Sequence, residues 1–107
     1  MNKCHFLGKI VEDPILTSDN GVSLVDFELE IEEFRRDTNG DKVRMETYLA
    51  FQAWDTAAQA IHKYAKEGCI IAVEAIARNN ILVNPENPQE EFIDTYFRVT
   101  NFKILGT

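Results

Sequence analysis

The chain has 107 residues, 45% apolar and 27% charged, with 18 acidic against 11 basic residues and a formal net charge of −7. That size and balance predict one soluble domain over residues 1–107, with a core that needs no covalent staples. The negative charge argues against generalised binding of polyanions, although a local basic groove can still hold phosphates while the body repels them. No apolar run approaches the roughly 20 residues of a membrane span, and the polar start Met1-Asn2-Lys3-Cys4-His5 does not read as a signal peptide. Cys4 and Cys69 match no metal or redox spacing and suit small hydrophobes in a reducing cytoplasm.

Residues 3–11 read as a first strand, in which Gly8 marks a bulge or a close backbone approach of the kind barrel corners require. Pro14 has no N–H to give to a ladder, so Glu12-Asp13-Pro14 ends that strand. Ile15-Leu16-Thr17 is a short extended piece, and Ser18-Asp19-Asn20-Gly21 is a turn by its residue chemistry. A second strand runs from about Val22 to Phe34. Within it Phe27-Glu28-Leu29-Glu30-Ile31-Glu32 alternates, placing Phe27, Leu29 and Ile31 on one face and the glutamates on the other. Asn39-Gly40 signals a hairpin, and a third strand follows from about Val43 to Ala53.

Asp55 predicts an N-cap for a helix over 56–67. Its apolar stripe holds Ala57, Ala58, Ile61, Tyr64 and Ala65, and Gly68 stands at the left-handed C′ position. Residues 69–77 form a mainly apolar fourth strand. Asn79-Asn80 and Asn84-Pro85-Glu86-Asn87-Pro88 mark a polar loop. Residues 91–105 then make a fifth strand, with Phe92, Tyr96, Arg98, Thr100, Phe102 and Ile104 on one parity. Five strands with one helix between the third and fourth predict an all-β OB-fold, a partly open Greek-key barrel. An SH3-like barrel or a sandwich explains the single helix less well.

The hairpin at residues 34–44 gathers aromatic and basic groups. Phe34 shares parity with Glu28, Glu30 and Glu32, so it stands exposed beside Arg35-Arg36, as a base-stacking ring or a subunit contact. Tyr48 has the parity opposite to Leu49 and Phe51 and faces out. Trp54 is either a contact residue or core beneath the helix. Arg35, Arg36 and Arg44 suit phosphate contacts or pairing with nearby carboxylates such as Glu33 and Asp37. The glutamates at 28, 30 and 32 read as a solvated outer surface, and they are the strongest argument against a polyanion there. Phe92, Tyr96 and Phe102 read as core. His5 and His62 are isolated, and neither a metal nor a cofactor is expected. No enzyme motif is found, and neighbours such as Glu32-Glu33 and Glu90-Glu91 diverge on a strand, so no catalytic role is expected.

Several stretches together resemble the bacterial-type single-stranded DNA-binding protein family. They are Asn2-Lys3, Leu7-Gly8-Lys9-Ile10, Asp13-Pro14, Phe27-Glu28-Leu29, and Ala53-Trp54-Asp55-Thr56-Ala57-Ala58 with Ile61, Lys63-Tyr64 and Lys66-Glu67-Gly68. Ile71-Ala72-Val73-Glu74 and Lys103-Ile104-Leu105-Gly106 complete the match in order along the chain. The resemblance implies an OB-fold that binds single-stranded DNA without sequence preference in replication, recombination or repair. It also implies a homo-oligomer (a tetramer favoured over a dimer) in the cytoplasm. Base-stacking rings would be Phe34, Tyr48 and Trp54, and phosphate contacts would include Lys3, Arg35, Arg36 and Arg78, with Arg44 added from its place in the hairpin.

The chain departs from the family at named positions. A family tryptophan is Leu82 here, the glycine after Val73-Glu74 is Ala75, and a lysine before Gly68 is Glu67. The Gly/Pro/Gln-rich tail with an acidic tip is not found up to Thr107, which keeps the tail-less primosomal replication protein N group as a second relative. The alternative function is an acidic OB module for protein interaction or assembly, with weak DNA affinity or none.

Overall fold

The computed structural model describes residues 1–106. They run as β1 (Cys4–Ile10), β2 (Ile15–Asp19), β3 (Val22–Arg36), β4 (Lys42–Trp54), α1 (Asp55–Tyr64), β5 (Ile70–Asn84) and β6 (Asn87–Gly106). The sheet order is β1-β5-β6-β4-β3-β2, and β3 also pairs with β1, which closes the first five into a barrel. With α1 lying between β4 and β5, this is the OB-fold that the strand count predicts. The extended piece at Ile15 is a full edge strand, β2, paired to the start of β3. No helix among the described residues is long and apolar enough to cross a membrane.

Alternation builds the core. Val25, Phe27 and Leu29 from β3 meet Phe51 and Ala53 from β4 and Ile71, Val73 and Ala75 from β5, all buried. Phe51 lies against Phe6, Phe27 and Phe97, and Phe6 against Phe97, with ring centroids 4.9–5.5 Å apart. Helix α1 adds Ala58 and Ile61, both fully buried, against β3 and β4. Gly8 sits where β1 leaves β5 for β3. A Cβ there would lie 2.9 Å from the Glu30 carbonyl oxygen, so this is the close approach foreseen from the sequence.

The structure corrects the expected boundaries in several places. The helix spans Asp55–Tyr64, and its N-cap is Trp54, with no side-chain cap bond. Asp55 is instead the corner residue, at φ 57°, a left-handed conformation that aspartate tolerates better than most residues. Tyr64 leaves the apolar stripe and is exposed. Gly68 does not cap the helix. Its φ of 84° suits the turn closed by the Cys69 N–H donating to the Lys66 carbonyl.

The two Asn-Gly pairs also behave differently. Asn20 and Gly21 both have positive φ, as the tight β2–β3 turn needs. At Asn39-Gly40 only Gly40 does, because the Asp37 carboxylate accepts from the N–H groups of Asn39 and Asp41 and shapes a longer tip.

The expected polar loop at 79–88 is instead a paired arm, with Arg78 opposite Tyr96 and Asn84 opposite Asn87 around Pro85-Glu86. Backbone pairing outweighs the poor strand propensity of its asparagines. One extra residue on β6, Thr100, shifts the register between Glu74 and Ala75. Core parity therefore changes from Phe97 and Val99 to Phe102 and Ile104, so β6 does not keep the single parity expected of it. The arms stretch the molecule. Its radius of gyration is 16.2 Å, against about 13 Å for a compact domain of this length.

Candidate nucleic-acid interface

The β3–β4 ladder runs in register from Leu24 opposite Trp54 to Arg36 opposite Lys42. Opposed residues share a face, and Phe27 with Phe51 point inward, so Leu24, Glu28, Tyr48, Phe34 and Trp54 belong to the outside. All three aromatic candidates therefore stand on one outer surface. Phe34 is 53% exposed, Tyr48 is 49% exposed and Trp54 is half-buried, so a flat ligand can reach each of them.

Two further strands widen this surface. β6 lies parallel to β4, with Phe97 beside Phe51 and Arg98 beside Gln52. Phe97 points into the core, so Arg98 points out, and its guanidinium carbon lies 5.4 Å from the Trp54 ring centroid. β5 sets Ile76 opposite Arg98 and Arg78 opposite Tyr96, which brings Arg78 and Tyr96 to the same side. Farther along the arm Leu82 faces Phe92, both exposed. A ring thus stands across from the position where the family has tryptophan. At the other hairpin tip, Lys42 Nζ lies 4.2 Å from the Phe34 ring centroid.

The basic candidates separate. Arg35 and Arg36 are adjacent on a strand and start from opposite faces, although both line the shallow cleft at the hairpin tip with Phe34 and Lys42. Arg36 Nη1 also donates to the Gly40 carbonyl at 2.8 Å, bracing the tip. Lys3 pairs with Glu74 at 3.2 Å. Arg44 is taken up by carboxylates: Nη2 reaches Glu30 at 3.3 Å and Glu32 at 2.9 Å, and Nη1 donates to Glu46. Its expected place on phosphates is occupied by this network. Arg78 and Arg98 are exposed and form no ion pair among the described residues.

Hydrogen bonds hold the rings. Trp54 Nε1 donates to Gln52 Oε1 at 3.1 Å, and Gln52 Nε2 donates to Asp26 at 3.3 Å. The Tyr48 hydroxyl donates to Glu46 Oε2 at 2.8 Å. That bond, then desolvation, pushes the Tyr48 phenol above its ordinary pKa. The hydrogen bond from Arg44 holds Glu32 below the usual carboxylate range.

Reasoning from sequence missed Arg98 and assigned Tyr96 to the core. The signal lies in Tyr96-Phe97-Arg98-Val99, where two purely apolar residues alternate with two polar-tipped ones. The shift of parity near Thr100 disguises it, because Phe102 and Ile104 then share the parity of Tyr96 and Arg98.

The Single-strand binding protein family matches residues 1–105. This chain belongs to that family. Among solved structures, a deletion variant of the single-stranded DNA binding protein from Thermus aquaticus superposes with a TM-score of 0.85 at 15% identity, over 98% of this chain. This chain spans 50% of the length of that protein. The Plasmodium falciparum SSB, solved in complex with ssDNA, also gives a TM-score of 0.85, at 17% identity, covering 100% of this chain and 95% of its own. At such low identity these likenesses establish the fold. No curated protein sequence matches the chain. In this member of the single-strand binding family, the outer face of β3, β4, β6 and β5 gathers the rings and the unpaired arginines.

Proposed function

We propose that this protein, as one OB domain, coats single-stranded DNA without sequence preference. The observation that carries this reading is the single outer face on which Trp54, Tyr48 and Phe34 stand in reach of solvent, with Arg98 and Lys42 beside the rings. Every base has a π-face, so rings stack on any of them, at about 1–3 kcal/mol per base. Duplex DNA hides those faces, and selectivity for unpaired strands follows from stacking. Arg98 and Arg78 are the cations best placed to neutralise phosphates, with Lys3, Lys42, Arg36 and Arg35 farther out. Arg44 serves instead to pair carboxylates beside Tyr48. Family membership supports work in replication, recombination or repair in the cytoplasm as a homo-oligomer, a tetramer or a dimer.

The test is a titration of the full chain with oligo(dT) at low salt, read by Trp54 fluorescence and by mobility shift. Quenching that weakens as salt rises is the expected result, because released counterions drive the association. Absence of both quenching and shift would overturn the reading. It would favour the acidic interaction-module alternative, which the five outward carboxylates on β3 and β4 motivate (Asp26, Glu28, Glu30, Glu32 and Glu46).

A further inference from the structure

The stacking face is electrically divided. On β3 the outward positions Asp26, Glu28, Glu30 and Glu32 are all carboxylates, spaced about 7 Å apart because alternate strand residues share a face. Their partners on β4 are Gln52, Ala50, Tyr48 and Glu46, none of them a cation, while on the other flank Lys9 of β1 stands opposite Glu30. Arg44 is bound by Glu30, Glu32 and Glu46. On the far side of the ring line, β6 and β5 offer Arg98, Tyr96 and Arg78, with both guanidiniums free of carboxylates among the described residues.

We infer that the β3 carboxylates are a specificity wall: they fix the side on which the DNA backbone runs. Phosphates pass along β6 and β5, by Arg98 and Arg78, while the bases turn inward onto Trp54 and Tyr48. The inference rests on the single-stranded DNA reading above. A polyanion laid along β3 would meet a like charge at every second residue. Two unit charges about 7 Å apart in water weaken an association about threefold, less once salt screens them. Three such repulsions compound to about twentyfold unscreened, and to about tenfold at low salt where the Debye length is about 30 Å. The wall also explains how a chain of net charge −7 retains a usable site: its anionic half is turned to direct the strand and not to hold it.

The experiment compares salt slopes of oligo(dT) binding for five forms of the full chain. They are the native protein, Arg98→Gln, Arg44→Gln, the triple variant E28Q/E30Q/E32Q, and the triple variant with Arg44→Gln added. Each phosphate neutralised on a single strand contributes about 0.7 to the slope of log K against log salt. Arg98→Gln should flatten the slope by about 0.7, and Arg44→Gln alone should weaken binding without flattening it. The triple variant should bind about tenfold tighter at low salt, a gain that shrinks as salt rises, although Glu46 still holds Arg44 in it. Adding Arg44→Gln to the triple variant leaves Glu46 without its partner and should reduce that gain. If the native chain binds but the triple variant gains nothing, or Arg44→Gln alone flattens the slope, the wall is overturned while the DNA-binding reading stands. A native chain that does not bind overturns both.

Discussion

Replacing Trp54 by alanine probes the ring line directly. Trp54 is half-buried, its indole N–H is tied to Gln52, and Arg98 stands 5.4 Å from its centroid. A half-buried ring with a guanidinium over it can stack on one base at most. A single stacked base contributes about 1–3 kcal/mol, which at 1.4 kcal/mol per factor of ten corresponds to a rise of about 5- to 140-fold in Kd. Trp54→Phe keeps a π-face and should recover most of that loss, which separates stacking from simple bulk. The assay is fluorescence anisotropy of a labelled oligo(dT) at fixed low salt, since the alanine variant has no tryptophan emission of its own. A thermal melt of each variant establishes that the barrel is intact. If Trp54→Ala melts as a folded protein and binds indistinguishably from the native chain, stacking on this face is not how the protein holds DNA.

Three further outcomes concern the barrel and its charges. Gly8→Ala puts a Cβ 2.9 Å from the Glu30 carbonyl and 3.2 Å from Leu29 Cβ; overpacking of this kind costs about 1–3 kcal/mol, seen as a lower melting temperature. Phe51→Ala removes a ring 1% exposed that touches Phe6, Phe27 and Phe97, and should cost about 3–5 kcal/mol in denaturant unfolding. Glu32 has a depressed pKa in the folded chain, held by Arg44, so its stabilising effect is present above its unfolded pKa and is lost as the pH falls through the lower folded one. Melting temperatures measured from pH 6 to pH 3 should therefore fall less steeply for Glu32→Gln than for the native chain; parallel curves would refute that linkage.

Much of the barrel was legible because strand alternation is a local property. Phe27, Leu29 and Ile31 against Glu28, Glu30 and Glu32 set a face without reference to anything distant. The same logic brought Phe34 and Tyr48 outside, and Gly8 announced a close approach before its neighbour was known. Local chemistry did not reveal which strands lie side by side. Arg98 reaches Trp54 only because β6 runs parallel to β4, a pairing between residues far apart in sequence. Arg44 and Arg98 look alike as letters, and only the fold surrounds one with three carboxylates and leaves the other free. The arm at 79–88 shows the same limit: its asparagines and prolines favour a loop, yet the partner strand supplies backbone bonds that propensity does not count. The sequence by itself determined the faces of β3 and β4 and the greater part of the core. The tertiary structure decided which charges remain available to a ligand, because a side chain's electrostatics depend on neighbours that only chain closure brings near.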